Sequence, residues 1–343
     1  MKALVLKEYL KFAYEDVPLP EFGPADVLVS VKACGICGSD VHGMDGSTGR
    51  RRPPIIMGHE AAGIIAEVGS GVSGWKRGDR VTFDSTIYCG ICEFCRRGEV
   101  NLCNQRRVLG VSCEDYRQAG AFAEFVAVPQ HILYRLPDNL SFEHAALIEP
   151  FTIAFHAVGR KKATLNDTAV IIGCGMIGLA LLQAVRLAGF GRIFVVDMAS
   201  DRLAQAASLG AHETINSSNG QALAEILRLT GNQGADHIFE AVGLGVTVDL
   251  ALRAVRKGGC VTLVGNVSAK AEVPLQIIVT RELSLFGSCA SAGEYPACLD
   301  MMARGAITAT PLLSAVAPLS EGAAWFERLH KREAGLLKVI LTP

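Results

Sequence analysis

Neither sign of charge dominates this chain. Its 33 Lys and Arg residues face 34 Asp and Glu, a formal net charge of −1. That balance removes any broad electrostatic reason to hold nucleic acid or anionic lipid. The one local exception, Arg50-Arg51-Arg52, reads as a solvated loop. No secretory signal is expected either, because Lys2, Lys7, Glu8 and Lys11 leave no apolar stretch for one in residues 1–11. Only residues 168–185 run eighteen positions without a charge, and they carry Gly173, Gly175 and Gly178. A buried strand followed by a helix accounts for that run better than a helix in lipid. There is no internal repeat and no linker of disordered composition. Aromatics make up only 6% of the chain while glycine numbers 36, in keeping with tight turns and close backbone approaches. The expectation is a cytoplasmic protein with no nucleic-acid or membrane partner.

The chain is half hydrophobic over 343 residues, enough for two domains with a core each. Up to about residue 149, short β-rich segments (3–6, 27–31, 62–68, 123–128) are cut by glycine, proline and aspartate. They predict a small β-barrel-like domain with site-bearing loops. Beyond Pro150 strands and helices alternate: strands at 169–172, 193–196, 236–239 and 260–264, helices at 176–187, 202–208, 221–229 and 246–255. Two-sided apolar strands in that order predict a parallel sheet covered on both faces. Residues 282–286 read as its last strand. The tail, 290–343, reads as two helices and a strand at 338–341, expected to return to the first domain. The expected division is therefore 1–152, 153–289 and 290–343.

Four cysteines, Cys89, Cys92, Cys95 and Cys103, fall within fifteen residues in the spacing C-x2-C-x2-C-x7-C. Thiolates this close can surround one tetrahedral zinc, which braces a loop and does no chemistry. Disulfide pairing is the competing reading. Farther on, Gly173-Cys174-Gly175-Met176-Ile177-Gly178 fits G-x-G-x-x-G between an apolar strand and a helix. Asp197 ends the next strand, nineteen residues past the third glycine. This is the dinucleotide-binding pattern: the glycines admit the pyrophosphate to a helix N-terminus, and the acid meets the adenosine ribose. Asp197 would repel a 2′-phosphate, which favours NAD over NADP, although Arg202 nearby could tolerate one. Cys37, His59 and a carboxylate form a mixed sulfur, nitrogen and oxygen set suited to a second, open zinc site.

With these parts assembled, the chain resembles the zinc-containing medium-chain alcohol/polyol dehydrogenases, in the branch of the sorbitol, threonine and galactitol-phosphate enzymes. Cys34-Gly35-Ile36-Cys37-Gly38-Ser39-Asp40-Val41-His42, Gly58-His59-Glu60-Ala61-Ala62-Gly63, the four-cysteine cluster, Leu147-Ile148-Glu149-Pro150 and the glycine fingerprint carry the resemblance. It implies an α/β plus β architecture: a GroES-like β-barrel catalytic domain, and a Rossmann doubly wound parallel sheet for the cofactor. It implies two zinc ions and NAD, with a homo-oligomer, a tetramer before a dimer. Cys37, His59 and Glu60 then resemble the ligands of the catalytic zinc, while Glu149 matches a carboxylate that binds that zinc or holds its water. Ser39 and His42 resemble a proton relay. Lys338 matches a basic residue near the cofactor pyrophosphate. The segments holding Val242, Val264, Gly265 and Ser288 line the nicotinamide end.

The activity implied is hydride transfer from a secondary alcohol or polyol to NAD, giving a ketone. Two positions depart from the sorbitol enzymes, which have an aromatic where this chain has Gly43 and an Arg-Tyr pair where it has Gly287-Ser288. Arg50 to Arg52 could meet a phosphate or carboxylate on the substrate if the loop is not merely solvated. The rival readings are a zinc-free enone or quinone reductase and a non-catalytic NAD-binding redox sensor.

Overall fold

Val27, Val29, Val31 and Ala33 point alternately inward, each at 2% exposure or less, so the strand Asp26–Gly35 has one face committed to a core. It is the hub of its sheet. Glu60–Val68 lies antiparallel on one side, and Phe125–Pro129 and Lys338–Thr342 also pair with it. Gly35 stands opposite both Glu60 and Ile340. Three segments distant in sequence therefore converge at the end of one strand, two residues before Cys37.

In the computed structural model, which describes residues 1–343, two compact units are resolved: Met1–Glu149 with Ala292–Pro343, and Pro150–Ser291. The hub sheet of the first runs Leu133–Arg135, Arg80–Phe83, Glu60–Val68, Asp26–Gly35, Lys338–Thr342, Leu313–Pro318, with Phe125–Pro129 attached to the hub. Its hydrogen-bonded ladder is open, with no pairing between the two end strands, so the expected barrel is not closed by this pairing. The tail holds two helices, Tyr295–Ala303 and Gly322–His330, and a strand that periodicity missed, Leu313–Pro318. That strand lies parallel to Lys338–Thr342. Val316 in it is half exposed, which is why its apolar alternation was faint. Phe122 and Phe326 meet edge to face in the core, 5.6 Å between centroids.

The second unit is a six-stranded parallel sheet in the order Glu213–Asn216, Arg192–Asp197, Thr168–Ile172, Ala235–Glu240, Val255–Leu263, Ser284–Gly287. Chain order reverses between the third and fourth of these, the crevice where such sheets bind nucleotides. Ala169 to Ile172 are all buried, as strands covered on both faces must be. His237 is buried here with both ring nitrogens engaged, Nε2 with Asp167 at 3.1 Å and Nδ1 with Cys260 Sγ at 3.0 Å. Burial lowers its pKa. No helix is long and apolar enough to cross a membrane.

Candidate metal centres and dinucleotide cradle

The four-cysteine loop is built from a single short helix, Glu93–Arg96, and the turn Val100–Leu102. All four sulfurs lie within 4.8 Å of one another and none is in a disulfide. Cys92 and Cys95 sulfurs are 3.4 Å apart, Cys89 and Cys95 4.0 Å. A bonded pair would stand at about 2.05 Å, whereas thiolates bound to one zinc at about 2.3 Å stand roughly 3.8 Å apart across a tetrahedron. The cluster fits the metal. Backbone N–H groups of Cys89 and Gln105 donate to Cys103 Sγ at 3.3 Å. Backbone donors also lower Cys92 to about 6, while burial and the neighbouring thiols push Cys95 up to about 12. A bound cation would draw the remaining protons off such a set.

The second centre is ionic, with His59 and Glu60 buried and Cys37 partly buried. Cys37, His59 and Glu60 present one ligand atom each within 4.8 Å. Cys37 precedes the short helix Gly38–Gly43, and Glu60 begins the strand Glu60–Val68. Asp40 Oδ1 stands 3.4 Å from His59 Nδ1, an ion-pair contact without hydrogen-bond geometry, and its charge on that side of the ring favours Nε2 as the nitrogen for a ligand. Burial works against charge on His59, yet Asp40 and Cys37 hold its pKa well above the usual value. Burial likewise opposes charge on Asp40, but His59 and Arg51 keep it well below the carboxylate range. A proton drawn onto His59 this strongly marks a place that calls for positive charge. A zinc ion answers that need, and the donor set fits one.

Three residues singled out in the sequence have surroundings that the sequence alone did not show. Glu149, second in the helix Ile148–Gly159, is not among the three clustered donors. Burial, and then the Glu60 charge, raise its pKa to about 8, and Ser85 Oγ approaches its Oε1 at 3.5 Å. Lys338, expected near a pyrophosphate, is buried with its ammonium on Glu60 Oε2 at 2.5 Å and the Ile36 carbonyl at 3.1 Å. Arg51 is buried at 4% exposure and paired with Asp40 at 2.8 Å, which corrects the solvated-loop reading for that residue. Ser39 lies beside the cluster, its Oγ donating to Cys37 Sγ at 3.3 Å. His42 stands three residues along the same helix.

Tyr295 escaped the sequence reading altogether. It is fully buried, stacked on Tyr134 with 4.6 Å between centroids, and its hydroxyl has no hydrogen-bond partner. Burial, with Asp84 and Glu149 nearby, holds its pKa well above the usual phenol value. No motif announces it, since a lone tyrosine opening a helix is ordinary.

In the second unit, Gly173 sits at φ 97° and Gly178 packs so closely that a Cβ would lie against the Gly173 carbonyl. A Cβ at Gly175 would meet nothing; there the backbone faces open space. The helix Met176–Leu187 starts at that point, with Met176 and Ile177 in its first turn. Asp197 is fixed by the N–H groups of Cys174 at 2.6 Å and Ala199 at 2.9 Å, and Arg202 lies in the next helix, Ser200–Ser208. Val242, Val264, Gly265 and Ser288 all follow the carboxyl ends of neighbouring strands. The Ser288 hydroxyl is buried without a partner. The cradle fits a dinucleotide.

Comparison with known proteins agrees with this geometry. Residues 23–138 match the alcohol dehydrogenase GroES-like domain, and residues 177–304 match the zinc-binding dehydrogenase domain. The chain is 36% identical to sorbitol dehydrogenase of Bacillus subtilis (strain 168), over 100% of this chain and 97% of that one. It is 39% identical to L-idonate 5-dehydrogenase of Vitis vinifera, over 86% and 82%. Among solved structures, one described as a zinc-binding dehydrogenase from Sinorhizobium meliloti 1021, bound to NADP, superposes with a TM-score of 0.91 at 33% identity, over 100% and 99% of the two chains. The chain belongs to the zinc-containing medium-chain alcohol/polyol dehydrogenase family.

Proposed function

We propose that this protein oxidises a secondary hydroxyl of a small uncharged polyol to a ketone, with NAD as acceptor. In this reading Cys37, His59 and Glu60 hold the reactive zinc, and Cys89, Cys92, Cys95 and Cys103 hold a structural one. The observation that carries it is the clustered cysteine–histidine–glutamate set with Asp40 behind the imidazole. Bound there, zinc supplies the Lewis acidity that lowers an alcohol's pKa, and NAD supplies the hydride acceptor.

The chain's own residues do the rest. Lys338 neutralises Glu60 and holds the carboxylate in place. Ser39 accepts the alcohol proton and His42 passes it outward to solvent. Glu149, which burial raises to about 8 in the metal-free protein, would hydrogen-bond a substrate hydroxyl or water. Asp197 receives the ribose hydroxyls and repels a 2′-phosphate, which favours NAD. Val242, Val264, Gly265 and Ser288 flank the nicotinamide end, and Arg202 closes the adenosine side. Metal chemistry is thus assigned to the first unit and the dinucleotide to the second.

An uncharged substrate is favoured because Arg51 is paired with Asp40 and Arg52 with Glu114. We further assign the protein to the cytoplasm and to a homo-oligomer, a tetramer before a dimer. Eleven cysteines with no disulfide among them support a reducing compartment. The edge strand Ser284–Gly287 and the helix Leu275–Thr280, where Leu275 and Val279 are exposed, support self-association.

The test is zinc-loaded protein assayed with polyols, polyol phosphates and amino-acid alcohols, with NAD and NADP side by side. NADH should form with an unphosphorylated polyol. Silence across the whole panel refutes the reading, and turnover of phosphorylated polyols alone refutes the uncharged-substrate part.

A further inference from the structure

The run Arg50-Arg51-Arg52 splits three ways. Arg50 is exposed, and Arg52 pairs with Glu114 in solvent. Arg51 turns inward. Its Nε and Nη2 both donate to Asp40 Oδ1, at 3.1 and 2.8 Å. Nη2 also donates to Ser39 Oγ at 3.3 Å, and Nη1 to the Arg50 carbonyl at 3.1 Å. The backbone on either side is tied down, since Ser112 N–H donates to the Arg50 carbonyl and Arg52 N–H to the Ser112 carbonyl, both at 3.2 Å. Gly43 opens the space: a Cβ there would stand 2.3 Å from Arg51 Cγ and 3.2 Å from its Cβ. Four of the five guanidinium N–H groups are therefore committed to the protein, which leaves a poor clamp for a substrate anion.

We propose that Arg51 is a positioning residue for the chemistry at Cys37, His59 and Glu60, acting through Ser39 on one side and through Asp40 on the other. The Asp40 oxygen it grips is the one 3.4 Å from His59 Nδ1. Fixing that oxygen fixes which imidazole nitrogen keeps a lone pair for a ligand. On the other side, a serine hydroxyl has two acceptor positions and one proton. Arg51 fills one acceptor position and leaves the second for an alcohol, while the O–H is held on Cys37 Sγ at 3.3 Å. A lysine is a point donor on a flexible stem and does not span both neighbours in one plane. The small residue at 43 and the arginine at 51 thus form one device, where the sorbitol enzymes' aromatic would collide with it.

The kinetic part rests on the function proposed above; the metal part does not. The experiment compares Arg51→Lys, Arg51→Met and the double variant Arg51→Met/Asp40→Asn as zinc-loaded full-length protein. It follows release of each zinc to a chromophoric chelator, thermal melting, and kcat and KM for a polyol the unmutated protein oxidises. Arg51→Met should release the Cys37-site zinc about 10- to 100-fold faster and lower kcat by at least about tenfold, with KM within about threefold. The zinc of the four-cysteine loop should leave at its original rate. Arg51→Lys should recover zinc retention but not kcat. The double variant removes both buried charges, so its melting should recover while kcat stays low.

Original zinc release and kcat in Arg51→Met would overturn the proposal. Equal loss of both zincs with a matching drop in melting temperature would reduce Arg51 to a structural role. Full recovery of kcat in the double variant would mean that Arg51 only neutralises Asp40. Inactivity of the unmutated protein on every alcohol defeats the functional reading alone, because zinc release is still measured.

Discussion

The two metal clusters are opposites in construction. The four-cysteine loop takes every ligand from fifteen consecutive residues and is supported by backbone N–H groups. The Cys37 centre draws residues from positions 37, 59 and 60 and is hemmed in by side-chain ions: Asp40 and Arg51 behind His59, Lys338 behind Glu60. A backbone-supported cluster is a local staple with nothing to adjust. An ion-supported one has ligands of three chemical types, whose charge and tautomer are set by neighbours. The first kind braces structure; the second kind tunes reactivity.

Cys37→Ala should separate them most sharply. Turnover should fall by about 10³-fold or more, because Lewis-acid activation of the alcohol is lost, while the melting curve stays close to the original. Retained kcat would dissolve the contrast. Cys95→Ala should do the reverse, lowering the melting temperature by roughly 5 °C or more through loss of the loop's zinc. Metal analysis and calorimetry check both.

Glu149 sharpens the ionic side. Its folded pKa of about 8 lies above the unfolded value, near 4.3. The folded protein therefore keeps a proton that the unfolded chain gives up. This group costs nothing below the unfolded value, and it lowers stability progressively as pH rises towards 8. In metal-stripped protein, Glu149→Gln should flatten the fall in melting temperature over that window. An unchanged slope would show that Glu149 is not the buried acid responsible. Tyr295→Phe should be the mildest change, within about 1 kcal/mol in stability, because the hydroxyl it removes makes no bond. A large loss of stability would reveal a partner for that hydroxyl.

Much of this molecule could be read without coordinates. The helix Met176–Leu187 begins and ends where its glycine fingerprint and apolar run predict, since short-range sterics and burial on both strand faces write themselves into local sequence. The four-cysteine loop was legible for the same reason: all its ligands are neighbours along the chain. The strand Leu313–Pro318 and the hairpin arm Lys11–Asp16 were not, because both are half exposed and carry weak alternation.

Residue type and spacing by themselves pointed to the family, the parallel sheet, the glycine cradle and the four-cysteine cluster. Only the tertiary structure decided which charges face one another. Lys338 reaches Glu60 across 278 positions and Arg51 reaches Asp40 across 11, pairings that depend on which strand ends meet. A buried ion takes whatever counter-charge the fold brings within a few ångströms, and linear sequence holds no record of that distance.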